Sequence, residues 1–168
     1  MTMVIREAVE GDYKALCGLV DQVDKPHRDR LPGRFKAAEG PARSRDFFFK
    51  AISASDVGFF VAEIERSLAG LVHVVVRDAP DVVILVPRRY AVVDNLVVRA
   101  DLRRSGIGQA LMGKAHNWAW GKGATSMELN VYDFNRPAMA FYETLGYEIL
   151  SHRLIKPLDA GDQDRGHR

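Results

Sequence analysis

The sequence contains a single cysteine, Cys17, in 168 residues. That scarcity excludes an internal disulfide framework and any zinc site built on paired thiolates. Long apolar runs are missing as well. Stretches such as Val82 to Val86 fall far short of the ~18 residues that a membrane-spanning helix needs, so no membrane partner is expected. The opening Met-Thr-Met-Val-Ile-Arg-Glu has no apolar signal core, which makes a cytoplasmic location the expectation. Charge nearly cancels: the formal net value is +2, too small to imply a nucleic-acid partner. The five histidines show no metal-ligand spacing, so no metal is expected. What is there is ordinary globular material, 47% hydrophobic and 27% charged, in a chain long enough to bury about 70% of its unfolded surface.

Ile5 to Glu7 reads as a short opening strand. Tyr13, Leu16, Cys17 and Val20 then recur at helical spacing, which makes Cys17 a small core residue. Between 25 and 45 the character changes. Pro26, Pro32, Gly33, Gly40 and Pro41 punctuate a segment with seven basic residues against Asp29 and Glu39. A loop or broken helix is expected there, serving as a solvated face or as a contact for an acidic substrate. Asp46 to Ile52 resumes a helix whose Phe47, Phe48 and Phe49 cannot all face one core.

Residues 58–64 and 68–77 are rich in Val, Ile and Phe and flank the polar break Glu65-Arg66-Ser67, a hairpin signal. Within the second run His73 is expected on a solvent-facing position. A further apolar run, 82–86, is stopped by Pro87, and a third long strand covers 90–98. Ile107, Ala110, Leu111, Ala115 and Trp118 define an amphipathic helix ended by Gly121 and Gly123. A strand over 126–131 follows. Asn135 is placed as an N-cap, with Pro137 in the first turn of a helix that runs to Leu145. Residues 147–155 give one or two closing strands. The charged, apolar-poor segment 159–168 is expected to be a disordered tail beyond a single domain spanning 1–158. Three consecutive strands predict an antiparallel meander, and the strand-helix-strand unit after them a parallel pair. The fold class is mixed α/β (α+β).

The most informative stretch runs from Asp94 to Leu111. A strand leads into a basic loop, Arg103-Arg104-Ser105-Gly106-Ile107-Gly108-Gln109, that opens a helix. Such a turn presents backbone N–H groups and the positive end of a helix to an anion. Gly106 and Gly108 let a phosphate approach the main chain. A P-loop would need Lys-Ser or Lys-Thr where Gln109-Ala110 stands, and a dinucleotide fold a third glycine where Leu111 stands.

Arg103-x-x-Gly106-x-Gly108 resembles the acyl-coenzyme A pyrophosphate motif of the GNAT N-acetyltransferase superfamily. Downstream, Asn135 to Tyr147 is similar to that family's second hallmark, an Asn, a small residue, Phe-Tyr and Gly-aromatic. Ile5-Arg6-x-Ala8 followed by Asp12 is also typical of it. The resemblance covers about residues 4 to 155 and is thinnest from 25 to 57. It implies a splayed mixed sheet of six to seven strands flanked by about four helices, with acetyl-CoA as cosubstrate. Carried over, it places main-chain amides of Arg103, Arg104, Ser105, Gly106, Ile107, Gly108 and Gln109 on the pyrophosphate. It places the edge of Leu96, Val97 and Val98 along the pantetheine arm, and Asn135 and Tyr142 at the thioester. The family's glycine-lysine pair before the first motif glycine is Arg104-Ser105 here.

The implied chemistry is direct acetyl transfer to a primary amine, a small molecule ahead of a peptide, in a protein that can pair as a homodimer. An ammonium must lose a proton before it attacks. Asp94 is the best-placed carboxylate for that, ahead of Glu63 and Glu128, with ordered water as the alternative. No Ser-His pair or activated cysteine suggests an acyl-enzyme. Rival readings are a non-catalytic acyl-CoA-binding or regulatory module on the same fold, and a basic nucleic-acid binder. Tyr142 speaks against the former, since a pure binder has no use for an acid at sulfur.

Overall fold

Two apolar runs with only Glu65-Arg66 between them have little choice but to fold back on one another. In the computed structural model, which describes residues 2–158, they form β2 (Val57–Ile64) and β3 (Ser67–Asp78). Ile64 pairs with Ser67, so the loop is just Glu65 and Arg66, at φ +49° and +63°. This is the twist-matched two-residue hairpin geometry, here made without glycine. β1 (Met3–Glu7) lies antiparallel on β2, and β4 (Arg89–Val98) antiparallel on β3. β5 (Met127–Leu129) adds a short parallel pair to β4, giving the order β1-β2-β3-β4-β5.

The chain divides into two compact units, a larger one through Asn130 that holds the whole sheet and a smaller one from Val131 onward. In the larger unit, α1 (Tyr13–Arg30) and α2 (Arg45–Ser53) pack one face of the sheet. Leu16, Leu19, Val20 and Phe48 meet Val61, Leu71 and Val97 there. α3 (Ile107–Gly121) covers the other face, with Ile107, Leu111, Met112 and Ala115 fully buried. Because side chains alternate along a strand, Leu71 and His73 point to the α1/α2 face while Gly70, Val72 and Val74 point to α3. A Cβ at Gly70 would stand 2.6 Å from the Val97 carbonyl oxygen and 3.0 Å from Leu111 Cδ1. Only glycine fits where β3, β4 and α3 converge.

The corner between β1 and α1 is held by charge. Arg6 donates to both carboxylate oxygens of Asp12, at 2.8 and 2.9 Å, and to Glu63. Asp12 is buried and also accepts from the Val9 amide. These bonds hold its carboxyl below the ordinary range, against the opposing effect of burial. The Ile-Arg-x-Ala…Asp pattern is thus a structural lock.

Several expectations change. The sheet has five strands among the described residues, where six to seven were expected. Val82–Val86 lies in an exposed turn, and 147–155 forms no strand. α1 continues through Pro26 to Arg30, where a loop or broken helix was expected from residue 25. A helix already nucleated and packed through Leu16, Leu19 and Val20 loses only one hydrogen bond at the proline. His73, expected toward solvent, is 5% exposed. Residues 159–168, read as a tail, lie outside the described residues.

Candidate active site

β4 is where the sheet opens. Its parallel pairing with β5 covers only Ala91, Val92 and Val93, whereas its pairing with β3 continues to Val98. From Asp94 to Val98 the β5 side of the strand has no strand partner among the described residues. Leu96 and Val98 therefore present main-chain groups along a free edge, while those of Val97 turn to β3, the arrangement that pairs with an extended, amide-bearing ligand.

The edge leads into the basic loop. Residues 100–102 make one 3₁₀ turn, Arg103 folds back to donate to the Val98 carbonyl at 3.3 Å, and the Ser105 hydroxyl donates to the Leu102 carbonyl. Arg104 and Gly106 take positive φ, +62° and +84°. The value at Gly106 belongs to glycine's allowed range and turns the chain into α3 as its N-cap. The first intrahelical bond is Ala110 N–H to the Gly106 carbonyl, 3.0 Å. The amides of Ile107, Gly108 and Gln109 precede it and point out of the helix start with its positive dipole end. Ile107, 2% exposed, anchors that end. The result is a helix start with three outward amides beyond the end of the strand edge, a geometry suited to an anion.

Asp94 owes its position to a β-bulge. His73 pairs with Asn95 and Val74 with Val93, so Asp94 is the extra residue on β4. A bulge re-aims the side chain it carries, and Asp94 Oδ2 comes to 4.0 Å from His73 Nδ1. His73 stacks on Phe59, with ring centroids 5.0 Å apart, and meets Phe47 edge-on at 6.3 Å. Burial pushes its imidazole below its ordinary value. Asp94 opposes that shift, and Arg43 and Arg77 add to it.

Beside this pair, between α1, α2 and the sheet, lies a small hollow with about 30 Å³ of space open to water behind its mouth. Its walls include Tyr13, Phe47, Phe59, His73 and Asn95, with Arg43. Cys17 also lines it and is half-buried, a wall residue more than a packed core one. The other carboxylates considered as bases have structural partners: Glu63 binds Arg6, and Glu128 sits 2.8 Å from Arg88.

In the smaller unit, α4 (Arg136–Thr144) starts as expected. Asn135 is its N-cap, its side chain accepting from the Ala138 amide at 3.3 Å, with Pro137 in the first turn. Tyr142 lies on this helix between Phe141 and Tyr147, with ring centroids 5.3 and 5.6 Å away. Loss of water pushes its phenol up to about 12.

The fold thus brings the strand edge, the α3 start and Asp94 into one unit, and sets Asn135 and Tyr142 on the helix of the other. Sequence reading missed His73 and the bulge. The signal for His73 was available: β3 is apolar at both parities, as Leu71, Val72, Val74 and Val75 show. A strand covered on both faces has no solvent side.

Comparison with known proteins identifies the fold and the family. An uncharacterized N-acetyltransferase of Methanocaldococcus jannaschii is 34% identical over 103 residues, 61% of this chain and 44% of its own length. The chain thus matches less than half of that relative. A mutant of the BH1408 protein from Bacillus halodurans superposes with a TM-score of 0.88 at 26% identity, over 92% of this chain and 99% of that one. An aminoglycoside N-acetyltransferase crystallised with CoA shares the fold, with a TM-score of 0.68 at 15% identity, over 94% of this chain and 100% of that one. The acetyltransferase (GNAT) family model matches residues 25–147, from the second half of α1 through α4 to Tyr147. The chain belongs to the GNAT acetyltransferase family.

Proposed function

We propose that this protein moves an acetyl group from acetyl-CoA directly to a primary amine, and that the acceptor is a small molecule in preference to a peptide. The observation that carries the reading is the continuity of the β4 edge with the α3 start: an edge without a strand partner at Leu96 and Val98, then three outward amides at Ile107, Gly108 and Gln109. This suits a ligand with an amide-bearing arm and a pyrophosphate at one end. Arg103, which donates to the Val98 carbonyl, and Arg104 add charge beside where the anion would sit.

Acetyl-CoA supplies the activated acetyl thioester. The chain holds it, orients it and manages protons. Backbone N–H groups of Leu96 or Val98 would face the developing oxyanion, where fixed dipoles are worth most. Asn135 would contact the thioester region while also capping α4. Tyr142 would donate its hydroxyl to the departing sulfur. Because burial holds the phenol neutral, full proton transfer is uphill until charge builds on sulfur, so the proton moves late. The hollow beside Asn95 would receive the acceptor, since Asn95 directly precedes the strand edge.

Tyr142→Phe tests the reading. It keeps the ring and α4, so acetyl-CoA affinity by isothermal titration should be nearly unchanged while kcat falls about 10²- to 10⁴-fold. A wild-type rate would return Tyr142 to a packing role, and a wild type that binds no acetyl-CoA would overturn the whole reading.

A further inference from the structure

Resting on that reading of the hollow as the acceptor site, the geometry points to one class of acceptor, a small primary amine on an aromatic or branched apolar body, and to His73 held by Asp94 as the group that takes its proton.

The walls argue for the body. Tyr13, Phe47, Phe48, Phe59 and Leu71 face the hollow, and no carboxylate lines it. A polycationic acceptor would have to shed its water against apolar rings, with the nearest carboxylates already engaged, Asp24 by Arg43 and Asp94 beside His73, an unfavourable exchange. A single ammonium on an aromatic or branched aliphatic group loses far less. Its apolar part gains contact with the rings, and only one charge needs handling.

That charge meets His73. Its side chain is 6% exposed, with Asp94 Oδ2 4.0 Å from Nδ1 across the bulge. The groups around it are Tyr13 and Cys17 of α1, Arg43 ahead of α2, Arg77 of β3 and Asp94 of β4. Burial keeps the imidazole neutral, hence able to accept. The same dry surroundings lower the basicity of the bound ammonium as well, and Asp94 works against the loss at the imidazole. Once the imidazole is charged, Asp94 stabilises it, which gives the bulge a purpose. The protons balance. The R–NH3⁺ group gives one proton to His73, and its lone pair forms the C–N bond to the thioester carbon. The C–S bond breaks as Tyr142 gives its proton to sulfur, which leaves as thiol, and the second proton of the nitrogen passes through water to restore the phenol. His73 then returns its proton to solvent.

The experiment measures CoA-thiol release with phenethylamine, isoamylamine, spermidine and kanamycin, alongside acetyl-CoA titration. The expected result is that phenethylamine and isoamylamine exceed the two polycations by at least about tenfold in kcat/KM. Acetyl-CoA binding with equal or better turnover of the polycations overturns the inference and leaves the proposed function standing. An absence of acetyl-CoA binding overturns both. His73→Gln should lower kcat for phenethylamine about 10²-fold or more with acetyl-CoA affinity unchanged, and should abolish the acid limb of the kcat/KM profile. An unchanged rate and profile overturns the proton role. Should the buried substitution fail to fold, Asp94→Asn at the exposed bulge decides. Removing its charge should move the acid limb to lower pH and reduce kcat, and an unmoved limb overturns the pair.

Discussion

The two faces of the sheet are packed to different ends. Against α3 the fit is close enough that no methyl group can be added at Gly70, and Ile107, Leu111 and Met112 are sealed from water. Against α1 and α2 there is a comparable apolar cluster, yet it stops short of Phe47, His73 and Asn95 and leaves a hollow. The dry face fixes the start of α3, and with it the three outward amides, to the sheet. The incomplete face is the one on which the acceptor is proposed to bind. A binding surface needs apolar groups that the fold has not already satisfied, and this chain has Phe47 partly exposed on that side.

The largest effect that would break this contrast is expected at Gly70. A Gly70→Val side chain must push against backbone of β4 as well as Leu111, so a loss of about 3 kcal/mol is expected, read as a fall of roughly 6–12 °C in thermal midpoint. A variant as stable as the parent would show that the α3 face has slack after all.

Next comes the corner that supports the looser face. Asp12→Asn leaves Arg6 partly unpaired and should cost about 1–3 kcal/mol at neutral pH. The sign with pH follows from the depressed carboxyl. Its contribution is present above the ordinary value near 3.8 and is lost as the pH falls through the lower, folded-state value. The stability gap between parent and Asp12→Asn should therefore close below that value in acid denaturation. A gap that persists in strong acid would mean that Asp12 acts by shape and not by charge.

The smallest stability effect sharpens the comparison most. Phe47 lines the hollow yet remains 47% exposed. Phe47→Ala should change stability by only about 1 kcal/mol or less, while KM for phenethylamine rises several-fold and acetyl-CoA affinity stays put. Loss of stability on the scale of the Gly70 variant would make the two faces alike.

Much of this was legible in the sequence because it depends on neighbours in the chain. The meander follows from three apolar runs with short breaks, and the α3 start follows from Gly106 after a strand. The Asn135 cap follows from an Asn two residues before a proline. The failures have a common cause. Tyr147 to Ile155 has strand composition, but a strand needs a partner, and none is found among the described residues. Pro26 reads as a break, yet the helix around it is decided by packing upstream.

The sequence by itself determined the order and type of most elements, the charge and glycine content of the loop at 103–109, and the presence of a phenol and an amide on α4. Those are local properties, set by side-chain period, capping and backbone freedom. Tertiary structure alone decided that β5 releases β4 after Val93, that Asp94 is the residue left over in the pairing, and that His73 lies buried 4.0 Å from it. Register between two strands is fixed by the fit of both against α1, α2 and α3 together, so a one-residue bulge leaves no mark on either strand read alone.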